Sequence, residues 1–67
     1  MIATMIEIII ERWTGLDRSV QYRWSLWHEG RRVQMGGPHA SPEQSETEAL
    51  GFCRQALGRE PDRVTKL

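Results

Sequence analysis

The sequence predicts a small α+β domain in which a three-stranded antiparallel β-meander packs against one C-terminal helix, in the order β-β-β-α. Two segments alternate apolar and polar side chains with the period of a strand, Met5–Trp13 and Val20–His28. The dipeptide Glu29-Gly30 indicates a tight hairpin turn into a third strand. An amphipathic helical stretch follows and ends at Gly58. We expect residues 1–67 to form a single domain, because the chain is too short for two.

The alternation assigns the side chains of the first two strands to two faces of the sheet. The segment Thr14–Ser19, with its Gly, Asp and Ser, is the predicted turn between these strands. One face is almost wholly apolar and is predicted to lie in the core under the helix. Its members are Ile6, Ile8, Ile10, Tyr22, Trp24 and Leu26.

The turn at Glu29-Gly30 also predicts the register of the third strand, Arg31–Met35. Counting outward from a two-residue turn sets Val33 opposite Leu26 and Met35 opposite Trp24. Both pairs are apolar, so we expect Val33 and Met35 to lie in the core.

A loop is predicted at Gly36–Ala40, followed by a helix with recognisable start signals. Ser41 is the expected N-cap, Pro42 occupies the first helical position, and Gln44 completes a capping box. The segment Asp62–Leu67 is either a short fourth strand at a sheet edge or a tail. The predicted apolar stripe of the helix consists of Ala49, Phe52, Cys53, Ala56 and Leu57, with Leu50 at its margin.

Charge and hydropathy narrow the range of partners. The chain has nine basic and nine acidic residues, a net charge of zero, and neither half is strongly biased. This balance does not favour binding to nucleic acid or to an anionic membrane. The N-terminal segment 1–10 lacks a basic n-region and is interrupted by Glu7. We therefore expect no signal peptide, no membrane span and a cytoplasmic location.

A chain of this length has difficulty stabilising itself as a monomer. A domain of about 60 residues buries only about 60% of the surface of its unfolded chain. Disulfides, metals or oligomerisation usually supplement so small a core. Cys53 is the lone cysteine, and with His28 and His39 it lacks the short spacing of a zinc site. We expect no metal and no cofactor, which leaves oligomerisation.

The second face of the sheet has no cover from the predicted helix. Apolar and arginine side chains share it, a combination typical of protein interfaces. The predicted interface of a homodimer consists of Ile9, Trp13, Arg23, Trp27 and Arg32. Association through a sheet edge, or with an unidentified protein partner, is an alternative. The simpler interpretation is a solvated face on which Trp27 lies under the Arg32 guanidinium.

A single-stranded nucleic acid is an alternative ligand. Four residues combine positive charge with a stacking surface, Arg23, Trp27, Arg31 and Arg32. The zero net charge, and the presence of Glu7 and Glu11 on the same face, count against this alternative.

The sequence offers no catalytic constellation, and we expect a non-enzymatic protein. Cys53 lies on the apolar stripe of the helix, where a thiol is usually a small core residue. Neither His28 nor His39 has an acid or a nucleophile at a sequence spacing typical of a catalytic site. Both are predicted surface residues. The segment Gly36–Ser41 precedes the helix as an anion-binding loop would, but it lacks the Walker lysine and the dinucleotide-binding glycine spacing.

The order of these elements, with a helix that opens Ser45-Glu46-Thr47-Glu48-Ala49-Leu50, resembles HicB-type antitoxin domains over about residues 5–58. The resemblance implies a β-β-β-α core, a dimer, and a toxin ribonuclease as partner. Other small β-meander-plus-helix proteins resemble the chain equally well.

Overall fold

The computed structural model describes residues 5–67 and confirms the α+β fold of a three-stranded meander followed by one helix. The elements are β1 (Ile6–Thr14), β2 (Val20–His28), β3 (Arg31–His39), α1 (Pro42–Leu57) and β4 (Arg63–Lys66). The sheet has the order β3-β2-β1-β4, in which β1–β2 and β2–β3 are antiparallel and β1–β4 is parallel. Helix α1 covers one face, called here the helix face. The opposite one is the outer face.

The helix face holds the core and confirms the face assignment of β1 and β2. The most buried apolar residues are Ile6, Ile8, Ile10, Trp24, Leu26, Ala49 and Cys53. The Trp24 and Phe52 rings lie 5.8 Å apart, and Tyr22 packs against the edge of the cluster. The prediction for Ala56 was wrong, since this residue near the C-terminal end of α1 is exposed.

The two ends of α1 follow the signals in the sequence. The N-cap Ser41 accepts a hydrogen bond on Oγ from the backbone N–H of Gln44 at 3.2 Å. The Gln44 side chain accepts from the N–H of Ala40, one residue before the position that a regular capping box uses. At the other end Gly58 adopts a left-handed conformation, and its N–H donates to the carbonyl of Arg54.

The turn between β2 and β3 is the predicted two-residue turn. Glu29 and Gly30 both have positive φ, 54° and 77°, as a type I′ turn requires. The pairs nearest the turn, His28 with Arg31 and then Trp27 with Arg32, also have the predicted register.

Beyond those two pairs the predicted register was wrong. Val33 is an extra residue in β3, so that Leu26 pairs with Gln34 and Trp24 pairs with Gly36. Val33 and Met35 are therefore not in the core: they are 47% and 51% exposed.

The predicted loop at Gly36–Ala40 was also wrong, because β3 continues through His39. The physical reason for both differences is the size of the Trp24 indole. A Cβ added at Gly36 would lie 2.6 Å from that ring, so only glycine fits opposite Trp24. The strand reaches this glycine by the shift at Val33, and a second irregularity between Trp24 and Tyr22 then brings His39 opposite Tyr22.

Of the two alternatives for the C-terminal segment, the structure shows the strand. Asp62 fixes its start, because its N–H donates to the Ile6 carbonyl at 2.8 Å and its carboxylate accepts from the Ile6 N–H at 2.7 Å. Val64 packs at the edge of the core. Lys66 forms an ion pair of 2.9 Å with Glu46 of α1.

Polar contacts of Ser45 and Glu48 also join α1 to the sheet. The buried Ser45 hydroxyl donates to the Tyr22 carbonyl at 2.8 Å. Glu48 Oε1 accepts from Trp24 Nε1 at 2.7 Å and lies 3.1 Å from His39 Nε2, which is out of line for a regular hydrogen bond. The hydrogen bond from Trp24, and then the contact with His39, hold the pKa of Glu48 below its usual value.

Two glycine substitutions should have opposite effects on stability. Gly36→Ala should destabilise the fold by about 1–3 kcal/mol, because the new methyl group overlaps the Trp24 ring. Gly51→Ala, at an exposed position of α1 with open space around it, should stabilise by about 0.5–1 kcal/mol. Urea unfolding of both variants measures the difference. A stable Gly36→Ala variant would contradict the close approach of β3 to Trp24.

Glu48 should make stability depend on pH in the acid range. Because its pKa is lowered in the folded state, its contribution is fully present above the usual value of 4.5 and is lost as pH falls through the lowered pKa. Glu48→Gln should therefore flatten the fall of the urea midpoint below about pH 4.5. The control is Glu43→Gln, an exposed carboxylate on the first turn of α1. Equal acid profiles for the two variants would refute the role of Glu48.

Candidate interaction surface

The outer face is built from the side chains of β1 to β4 that point away from α1. Pairing in the sheet arranges them in rows across the strands. One row contains Arg63, Glu7, Trp27 and Arg32, and the next contains Thr65, Ile9, Ser25 and Met35. A third row contains Glu11 and Arg23, and a fourth Trp13 and Gln21. Apolar side chains therefore occupy the middle of the face, with charged groups around them.

A groove in this face has a volume of about 220 Å³ and is called here the Trp27 groove. It is lined by Met5, Glu7, Ile9, Trp27 and Gly30. The Trp27 indole is half-buried, and its Nε1 donates to Ser25 Oγ at 2.8 Å. This bond holds the indole in place beside the groove. The apolar walls of the groove are therefore formed before any ligand arrives.

The carboxylate of Glu7 closes the β4 side of the Trp27 groove. It accepts from Thr65 Oγ1 at 2.8 Å and from Arg63 Nε at 3.2 Å. These two hydrogen bonds lower the pKa of Glu7. Both of these partners come from β4. Because the charge of Glu7 is already balanced within the chain, this residue forms a polar border of the Trp27 groove and is not an unpaired anion.

The end of the β1–β2 hairpin projects beyond β3 and β4. This segment, Arg12–Gln21, is called the arm: β3 ends opposite Tyr22, so the arm is two-stranded. The Arg23 guanidinium lies over the Trp13 ring at the base of the arm, 5.8 Å from its centroid. Trp13 is still 54% exposed. The cation–π pair of this face thus joins Arg23 to Trp13, and not Arg32 to Trp27 as expected in the simpler interpretation.

All five residues of the predicted interface lie on the outer face. Ile9 and Trp27 border the groove, Trp13 and Arg23 form the stacked pair, and Arg32 flanks Trp27 on β3. The four residues proposed for nucleic-acid binding are not all together. Arg31 pairs with His28 and so falls on the helix face, opposite to the other three.

Met35 is the outer-face residue that sequence reasoning misplaced. It is half-exposed in the row of Ile9 and Ser25, although a regular hairpin puts it in the core. The pair Gly36-Gly37 was the signal that could have indicated the change, because glycine inside a strand often marks a bulge or a close backbone approach.

The other candidate groups form no reactive cluster. Cys53 is in the core as predicted, where burial raises the pKa of its thiol. His39, expected on the surface without an acid nearby, is partly buried beside Glu48, a contact between strand and helix that spacing could not show.

Within residues 5–67, no group of three or more His, Cys, Asp or Glu could hold a metal ion. The helix of this part of the chain is not long and apolar enough to cross a membrane.

The segment suggested as an anion-binding loop has another role. Gly36 and Gly37 lie inside β3 rather than in a loop. The hydroxyl of Ser41 accepts a hydrogen bond from the N–H of Gln44, which caps α1. The neighbouring groove of about 520 Å³ is lined by His39, Glu43, Gln44, Thr47 and Glu48, and its two carboxylates do not favour an anion.

Comparisons of the chain with protein-family models, with curated proteins and with solved structures find no significant match. The resemblance to HicB-type antitoxin domains, with the toxin partner that it implies, therefore stays a prediction. The basis for a functional proposal is the outer face, with the Trp27 groove and the stacked pair of Trp13 and Arg23.

Proposed function

We propose that this chain is a non-enzymatic interaction domain that self-associates into a homodimer through its outer face. The observation that supports the proposal is the preformed Trp27 groove on a sheet face that α1 does not cover. The same face carries the half-exposed side chains of Met5 in the groove wall, Met35 in the row of Ile9, and Trp13 at the far end of β1. An apolar surface bordered by charge is characteristic of contact sites.

The size of the core gives a reason for association. Among residues 5–67, the helix face buries seven apolar side chains, and only Trp24 among them is aromatic. Burying a large apolar side chain contributes about 1.5–3 kcal/mol. Covering Ile9, Trp27 and Met35 with a second copy would add a second apolar layer, as oligomerisation does for other small domains.

The two edges of the sheet are poorer candidates than the face. The edge strand β3 has two register shifts, and Pro38 lacks the N–H that an added strand would need. The other edge strand, β4, has only four residues. Irregular and short edges of this kind discourage strand addition.

A double substitution on the outer face should dissociate the dimer. Ile9→Glu combined with Trp27→Glu places two carboxylates in the apolar contact, and an uncompensated buried charge is costly. We expect the dissociation constant to rise by more than about 100-fold, with a lower melting temperature. Sedimentation velocity at tens of micromolar measures the oligomeric state.

The matched control is Ala56→Glu, which adds a carboxylate at an exposed position of α1 on the opposite side of the domain. It should leave the dimer intact. If the unsubstituted chain sediments as a single monomeric species from tens of micromolar up to millimolar concentration, with an ordinary melting transition, self-association is refuted.

A single-stranded nucleic acid is the second candidate, favoured by the exposed stacked pair of Trp13 and Arg23 on the same face as Trp27. Glu7 and Glu11 on the same face oppose it. Titration with a labelled oligonucleotide at low salt separates the candidates. Binding that weakens as salt rises would support a nucleic-acid ligand, and no binding at 50 mM salt would remove it.

A further inference from the structure

The outer face has a symmetry that a dimer can use. Ile9 lies in the middle of β1, four residues from Met5 in one direction and four from Trp13 in the other. At the rise of a strand, each distance is about 13 Å. One end of this line is Met5, in the outer wall of the Trp27 groove, and the other carries the exposed indole of Trp13. The outer end of the groove and a large aromatic side chain therefore lie at equal distances from Ile9.

A two-fold axis across the strands, through the row of Ile9, Ser25 and Met35, would bring these features together. After this rotation the strands of the second copy run in the opposite direction. Trp13 of the second copy then lies above Met5 of the first copy, in the first copy's Trp27 groove. The same rotation seats the first copy's Trp13 in the second copy's groove. Such a reciprocal contact is the arrangement that an isologous dimer requires.

The volume of the Trp27 groove is large enough for the Trp13 indole. A cavity of about 150 Å³ can hold a benzene ring. The Trp27 groove, at about 220 Å³, has room for the larger bicyclic indole. Its walls of Met5, Ile9 and Trp27 suit an aromatic guest, since thioether and indole groups both pack well on aromatic rings.

The charged side chains of the outer face are also compatible with this two-fold arrangement. In the register of β1 and β2, Glu11 and Arg23 lie two residues on one side of the axis, and Glu7 and Trp27 lie two residues on the other. The rotation sets Arg23 of one copy over Trp27 of the other, which is a favourable cation–π arrangement. The like charges of Glu11 and Glu7 also approach each other, but Arg63 is hydrogen-bonded to Glu7 and lies beside both.

We propose that the homodimer is held by reciprocal insertion of Trp13, stacked on Arg23, into the Trp27 groove of a second copy. This inference depends on the proposed function, because it gives the geometry of the same self-association. The Trp13–Arg23 stack is already formed in the free chain, so little side-chain freedom is lost on insertion.

The area of overlap indicates a weak, reversible dimer. From Met5 to Trp13 the strands span about 26 Å, and β1 to β3 are about 14 Å wide, with the four residues of β4 adding little, so the plane of contact is roughly 400 Å² per copy. Specific stable interfaces bury about 800 Å² of accessible surface per partner. The side-chain relief of the sheet raises the accessible area above that of the plane, and the contact stays at the lower end of the range.

Two alanine substitutions on the arm test the geometry. Trp13→Ala removes the inserted indole and should raise the dissociation constant at least about 10-fold. Leu16→Ala is the control, because Leu16 is fully exposed at the tip of the arm and lies beyond the described residues 5–67 of the second copy in this arrangement. It should change the constant less than about two-fold. Circular dichroism should show that both variants fold, because both sites are exposed.

Nuclear Overhauser effects give a readout that does not depend on substitution. Trp13 and Met5 are about 26 Å apart within one chain, too far for a direct effect. A cross-peak between the Trp13 indole protons and the Met5 methyl group, in a mixture of labelled and unlabelled chains, should therefore be seen in the dimer.

The outcomes separate the two proposals. A dimer that shows neither this cross-peak nor weakening by Trp13→Ala overturns the insertion of Trp13, while self-association stands. A chain that stays monomeric up to millimolar concentration overturns both. Equal weakening by Trp13→Ala and Leu16→Ala overturns the register, because it shows that the tip of the arm is also in contact.

Discussion

The burial of the Trp24 indole beneath α1 is the constraint on which the rest of the structure depends. The ring packs against Phe52 and donates its N–H to Glu48, so it fixes both the distance and the position of the helix over the sheet. Nothing larger than glycine fits opposite it, and β3 therefore passes it with Gly36. A strand with regular pairing would put Met35 there, and the sheet could not close around the ring.

The same constraint shapes the outer face. The extra residue at Val33 lets β3 present Gly36 to Trp24, and the shift moves Met35 to the opposite side of the sheet. The core thus loses one large side chain and the outer face receives it, beside Ile9 and Ser25. The single helix cannot cover this second apolar layer, because its own apolar stripe is already used by the first. The Trp27 groove follows from this unequal distribution of apolar side chains.

The polar groups of the outer face limit what can bind there. Glu7 forms an ion pair with Arg63 and accepts a hydrogen bond from Thr65, both of β4, so the groove has a fixed polar rim on one side. Arg23 lies over Trp13 and keeps the indole oriented at the base of a two-stranded arm. Positively and negatively charged side chains alternate around an apolar centre. This pattern favours a partner surface of similar character over a polyanion. A second copy of the chain has this character.

The sequence by itself determined the strands β1 and β2, the turn at Glu29-Gly30, the limits of α1 and the side of the sheet that faces it, because these depend on local periodicity, turn chemistry and capping. Only the tertiary structure decided the path of β3, the pairing of β4 with β1 and the partners of Glu7 and Glu48. Each of these depends on groups that are distant along the chain. The bulge in particular depends on the volume of one indole ring against the backbone of another strand, and a pattern of apolar and polar residues contains no information about that fit.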